Sequence, residues 1–142
     1  MNPFPNHNFI VEIDGLPELA FDEVRLGPLR VDVIEYREGG DKTSDARLLP
    51  GRVHEGPALL RRGLSADSAL YDWWTAVRDG QPGYEKNVSV TLLDASRQPA
   101  VRWLLHAAWP SRLEFGPLEG RGASVVVELL ELQYRRLELA SA

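Results

Sequence analysis

A two-residue alternation of apolar and polar side chains constrains this chain more than any other feature. In KNVSVTLLD (86–94), Val88, Val90 and Leu92 alternate with Asn87, Ser89 and Thr91. Successive side chains leave opposite faces only in an extended strand, so this period calls for a sheet packed on one side and wetted on the other. The same period runs through NFIVEIDG, where Phe9, Val11 and Ile13 share a face. In LRVDVIEY (29–36), Leu29, Val31 and Val33 oppose Arg30, Asp32, Ile34 and Tyr36. In PAVRWLLHAAW (99–109), Val101, Trp103, Leu105 and Ala107 fall together, and Pro110 then predicts a break before a short strand at SRLEF. ASVVVELLELQY starts on β-branched residues and predicts a last strand reaching about Tyr134.

The punctuation between these runs organises them. Asp14-Gly15 predicts a turn that joins the first strand to ELAFDEVRL in a hairpin. From Arg37 to Glu55 the alternation stops: REGGDKTSDARLLPGRVHE is rich in glycine and charge, with Leu48 and Leu49 as its apolar pair. A polar connection of that length is functional or unstructured in most proteins. If 29–36 pairs with GPALLRRG (56–63), the stretch becomes the tip of an extended hairpin.

One segment follows another period. In LSADSALYDWWTAVRDGQPG, Leu70, Trp73, Trp74 and Val77 fall at i, i+3, i+4 and i+7, which predicts a helix over about 65–79. Ser65 is placed to cap it, Asp67 suits its first turn, and Gly80 and Pro82 end it. Adjacent helical positions lie about 100° apart, so Trp73 and Trp74 cannot both face one core. One is expected to face the sheet and the other to seal a subunit boundary; an aromatic patch for a ligand is the rival reading.

Composition removes whole classes of function. The 142 residues suit one domain over 1–142, with 1–6 (MNPFPN) as an extended arm. There is no cysteine, which excludes disulfides, thiolate nucleophiles and cysteine-based metal centres. A net charge of −5 with the acids dispersed argues against high-affinity nucleic-acid binding, which rests on concentrated Lys and Arg. No apolar run is long enough to span a bilayer and no signal-peptide pattern is present, so cytoplasmic synthesis without membrane insertion is expected.

Catalytic and metal-binding patterns are weak. His7, His54 and His106 lie on separate segments without the short spacing of metal ligands, so no metal is expected. Glu35 with Glu38, or Glu128 with Glu131, could meet as paired carboxylates, but solvated faces explain such pairs better. EGGDKTS lacks the spacing of a phosphate-binding loop, and no Gly-x-Ser-x-Gly elbow occurs. The reading is of a non-enzymatic protein without cofactors.

Seven segments, taken in order, resemble one family. VIEYREGG, RLLPG, ALLRRGL, LYDWW, VSVTLLD, AVRWLLHAAWP and VVVELLELQY are similar to successive motifs of the tail tube proteins of contractile phages and phage-derived contractile injection systems. The resemblance runs from about Phe9 to Leu137. QYRRLELASA departs from the His/Phe-Glu-Gly segment that often closes the family's final strand.

The resemblance implies a mainly β fold: a barrel-like sandwich with one flanking helix (about 65–79) and a long extended loop (about 37–55). It implies hexameric rings that stack into a hollow inner tube, with sheath, baseplate and spike proteins as partners and cargo in the lumen. A baseplate-proximal tube initiator is the alternative role within the family, and a small ligand-binding module lies outside it. Under this reading Arg37, Glu38, Asp41, Lys42, Asp45, Arg47 and Arg52 serve ring stacking. Leu70, Trp73, Trp74 and Val77 anchor the helix, and Arg30, Asp32, Asn87, Ser89 and Thr91 face the lumen. Assembly is expected in the cytoplasm, into a particle that can be released.

Overall fold

Alternating segments do become strands, and they dominate the chain. The computed structural model describes residues 8–37, 39, 46–120 and 126–141. The strands are β1 (Phe9–Ile13), β2 (Glu23–Arg25), β3 (Leu29–Tyr36), β4 (Arg47–Glu55), β5 (Ala58–Gly63), β6 (Lys86–Leu93), β7 (Pro99–Gly116), β8 (Val127–Gln133) and β9 (Arg136–Ser141). One helix, α1 (Ala69–Arg78), precedes β6.

The body is a sandwich whose two layers share β7. The first half of β7 lies between β6 and β9, and β1 pairs with the far side of β6. The second half pairs with β8, which continues to β5 and then β2. All these ladders are antiparallel. Val11, Ile13, Val88, Val90 and Leu105 of one layer meet Ala58, Leu60, Leu130 and Leu132 of the other. Leu70 and Trp73 of α1 and Phe21 complete this core. Among the described residues of a single chain the sheet ends on β1, β9 and β2 and does not close into a barrel.

The corner of β7 has identifiable causes. Ala107 adopts a positive φ of 55°, and its N–H donates to the Asn87 side-chain oxygen at 3.0 Å. Pro110 is buried and offers no N–H to a ladder, and the register with β8 shifts between Pro110 and Arg112. The expected break at Pro110 is therefore a bend within one strand, and SRLEF is its continuation.

Several pairings differ from the expected ones. The turn at Gly15 exists, with Leu16 N–H on the Ile13 carbonyl at 3.0 Å, and Leu19 beyond it meets Val11 in a single antiparallel bridge, but no hairpin ladder follows: β1 ladders with β6 and β2 with β5. Residues 29–36 pair not with 56–63 but with 47–55, a stretch whose composition reads as loop. Tyr134 ends β8 at a corner, and the chain resumes as β9 alongside β7. The 1–6 arm lies outside the described residues. No described helix is long and apolar enough to cross a membrane.

Candidate assembly surfaces

β3 and β4 form a two-stranded ribbon separate from the main sheet. Gly51 and Arg52 sit at a bulge opposite Asp32, where the register slips by one residue. A Cβ at Gly51 would lie 2.9 Å from the Ile34 side chain, so any larger residue there would have to displace Ile34. The root is fixed: Gly56 N–H donates to the Pro28 carbonyl at 2.8 Å, and the Tyr134 hydroxyl donates to the Gly56 carbonyl.

Neither face of the ribbon packs on the body, contrary to the expectation for Leu29, Val31 and Val33. Val33 and Leu48 are each 70% exposed and Val53 67%, with Leu29, Val31, Ile34, Tyr36 and Leu49 also exposed. Leu29, Val31, Val33, Leu48 and Val53 share one face through their cross-strand pairings. Monomeric proteins rarely display so much contiguous apolar side chain, and such patches mark interaction sites. Residues 47–55 are therefore a strand with exposed apolar side chains and not the polar loop read from their composition.

The charges expected to serve stacking divide in two. Arg47 and Arg52 lie exposed on β4, and Arg37 pairs with Glu35 at 3.2 Å just past β3. Glu38, Asp41, Lys42 and Asp45 lie outside the described residues. Nearer the root, Asp32 accepts from Arg30 at 2.6 Å and meets His54 at 3.0 Å. The hydrogen bond from His54 lowers the Asp32 pKa most; burial opposes it, and the Arg30 hydrogen bond adds a smaller lowering.

The lumen candidates do not gather on one surface. Arg30 and Asp32 belong to the ribbon, and the other three to β6. Thr91 corrects the expectation of a wetted face: it is only 4% exposed, between its neighbours Ile10 and Arg102, and its hydroxyl accepts from Arg102 at 3.3 Å. Asn87 is exposed but holds the β7 corner, and Ser89 is half-buried. Val88 and Val90 are core, as their alternation requires.

α1 lies across β7 and separates its two indoles. Trp73 is 2% exposed and its ring N–H donates to the Tyr84 carbonyl at 2.7 Å. Trp74 is half-buried, stacked on Tyr71 with centroids 6.4 Å apart and covered by the Arg78 guanidinium at 5.5 Å. Leu70 is fully buried and Val77 half-buried, which completes the stripe. The helix starts later than expected, with Ser68 at the cap. Ser65 does not cap it, and Asp67 stands before the first turn, accepting the Ala69 N–H at 3.0 Å.

Asp67 also belongs to a group of side chains that the sequence reading missed. Arg62 on β5 donates to Glu128 on β8 at 2.7 Å and to both Asp67 oxygens at 2.9 and 3.2 Å. The Arg62 and Glu128 side chains are almost wholly buried. Glu128 is therefore no partner of Glu131, which projects from the opposite face of β8 and accepts from Ser111 at 2.8 Å. His54 and His106 lie on separate sheets, each beside a carboxylate, Asp32 and Glu138. His7 and Glu38 lie outside the described residues. Among the described residues no cluster of three or more His, Asp and Glu could hold a metal.

The clamp carries a pH dependence. Hydrogen bonds from Arg62, then from the Ala69 N–H, hold the Asp67 carboxyl well below the usual carboxylate range. A carboxylate depressed in the folded state stabilises it fully above its unfolded value, about 4, and that contribution is lost as pH falls below it. Asp67→Asn should lower the melting temperature at neutral pH and flatten its decline on acidification. Equal slopes for variant and wild type would show that Asp67 contributes nothing to acid unfolding.

The chain matches known proteins over almost its full length. The model of the T4-like virus tail tube protein gp19 family matches residues 5–138. A chain of the anti-feeding prophage (AFP) baseplate superimposes with a TM-score of 0.82 at 26% identity, covering 99% of this chain and 97% of its own. A chain of the PVC sheath–tube complex, an extracellular contractile injection system in its extended state, gives 0.82 at 22%, covering 99% and 93%. Hcp1 from Flavobacterium johnsoniae gives 0.58 at 10%, covering 96% and 97%, a likeness of fold alone. No curated protein sequence matches significantly. With the family model matching all but the two ends, the chain belongs to the T4-like virus tail tube protein family.

Proposed function

We propose that six copies of this chain close into a ring and that rings stack into the hollow inner tube of a contractile phage tail or injection particle. The apolar ribbon carries this reading. A family member that leaves Val33, Leu48 and Val53 in water as a single chain gains by covering them in an assembly. Likeness to chains from a sheath–tube complex and a baseplate supports sheath and baseplate proteins as partners. Membership of a structural family supports a non-enzymatic role.

In this arrangement a head-to-tail contact closes the ring, and a second, axial contact repeats without closing. The wetted side of β6, with Asn87 and Ser89, turns to the lumen, because Val88 and Val90 belong to the core. The segment between β3 and β4 serves the contact with the adjacent ring, with Arg37 and Arg47 flanking it and Arg52 farther along β4. Subunits assemble in the cytoplasm and leave with the particle. The repeating tube subunit is preferred to a single-layer initiator, and images of the purified protein decide between them: long six-fold tubes support the first, single rings the second, and monomers neither.

The axial role is testable without disturbing the ribbon. Replacing 40–46 by a short Gly-Ser link leaves β3 and β4 intact. The expected product is isolated rings that no longer stack. Tubes of normal length would remove the segment from the axial contact.

A further inference from the structure

The sandwich is unfinished at one mouth. Phe9, Val24, Leu26, Val90, Leu92 and Trp103 line a cavity of about 330 Å³ there, open to solvent. Val90 belongs to the core, whereas Phe9, Val24, Leu26 and Trp103 pack against it and remain half-buried. Protein interiors are filled to the density of organic crystals, and an apolar opening offers water few partners, so a gap of this size forfeits contacts that an apolar group would restore.

The same chain carries a matching surplus. Leu29, Val31, Val33, Leu48 and Val53 form the exposed apolar face of the ribbon. The ribbon departs from the rim of the cavity: Leu26 lines it, and β3 begins three residues later. With its root fixed by Gly56 and Tyr134, the ribbon carries Val33 and Leu48 into solvent, and none of its described residues lines its own copy's cavity. Each chain thus has one apolar donor and one apolar acceptor that do not meet within it. Such a pair is satisfied by a head-to-tail contact between copies.

We infer that the cavity between β1, β6, β7 and β2 receives apolar side chains from the β3–β4 ribbon of a second copy, which completes the core of the first. The inference rests on the tube reading and deepens it by naming both halves of one contact. Chemistry selects the occupant: among the described residues the cavity lining carries no charged side chain, so a charged partner segment would lose hydration without compensation.

The absence of cysteine makes the contact directly measurable. Val31→Cys, Val33→Cys or Leu48→Cys, each combined with Val24→Cys and oxidised after assembly, should give a ladder of covalent multimers on non-reducing gels for at least one pair. Single-cysteine variants should give no such ladder. As a second measurement, Val33→Asp alters an exposed residue and should leave the monomer's melting unchanged while raising the concentration needed for assembly at least about tenfold. Tubes that form normally with no cross-link from any pair, or Val33→Asp tubes at the wild-type concentration, would overturn the inference and leave the tube reading standing. Wild-type protein that forms neither rings nor tubes would overturn both.

Discussion

Glu128→Ala is expected to destabilise the fold by about 3–5 kcal/mol, because it strands the Arg62 guanidinium in an almost dry site. The two side chains are 3% and 5% exposed and meet at 2.7 Å. Asp67 remains on the other edge of the guanidinium, and the Phe21 ring lies 6.0 Å from it. Asp67 is partly exposed and already engaged, so it cannot replace a buried carboxylate. Removing both charges, as Arg62→Met with Glu128→Leu, should cost much less than Glu128→Ala alone, since nothing buried is then left unpaired and Asp67 can hydrate. Urea denaturation at matched protein concentration measures the difference. A loss below about 1 kcal/mol for the single variant would mean that water reaches the guanidinium.

Trp73→Ala is the second large effect, about 3–5 kcal/mol. The indole fills the space between α1 and the sheet, and its N–H satisfies the Tyr84 carbonyl, so truncation leaves both a cavity and an unpaired acceptor. Trp73→Phe keeps most of the volume and should cost a smaller part of that loss. Trp74→Ala removes a half-exposed ring stacked on Tyr71 and should cost less than about 1 kcal/mol in monomer stability. Its effect belongs in ring assembly, if the helix seals a boundary there. Equal losses for the two tryptophans would contradict this division of roles.

Legibility in the sequence followed burial. Val88, Val90 and Leu105 have one buried face to satisfy, so their alternation marked β6 and the first half of β7 closely. β4 was hidden for the converse reason. Neither face of the ribbon is covered within the chain, so nothing demands a period there; β3 alternates all the same, whereas in β4 Pro50-Gly51 signals a turn where the structure has a bulge. The stripe of Leu70, Trp73 and Val77 located α1, but Ser65 and Ser68 are equally good caps by residue type, and tertiary hydrogen bonding to Asp67 favours the later start. Arg62 and Glu128 lie 66 residues apart, and only the pairing of β5 with β8 makes them neighbours. Local patterns carry no record of such a pairing. The stacking charges were legible as charges, but the apolar face beside them was not legible as exposed.

The eighteen residues of β7 serve both layers of the sandwich without interruption. Layers joined only by side-chain packing can slip past one another under shear, since dispersion contacts are non-directional and re-form after a small shift. Here a slip would have to bend or break a strand whose two halves are each laddered into a different layer. Force applied lengthwise to one layer therefore reaches the other through covalent bonds. A wall built of such units would resist distortion through its backbone.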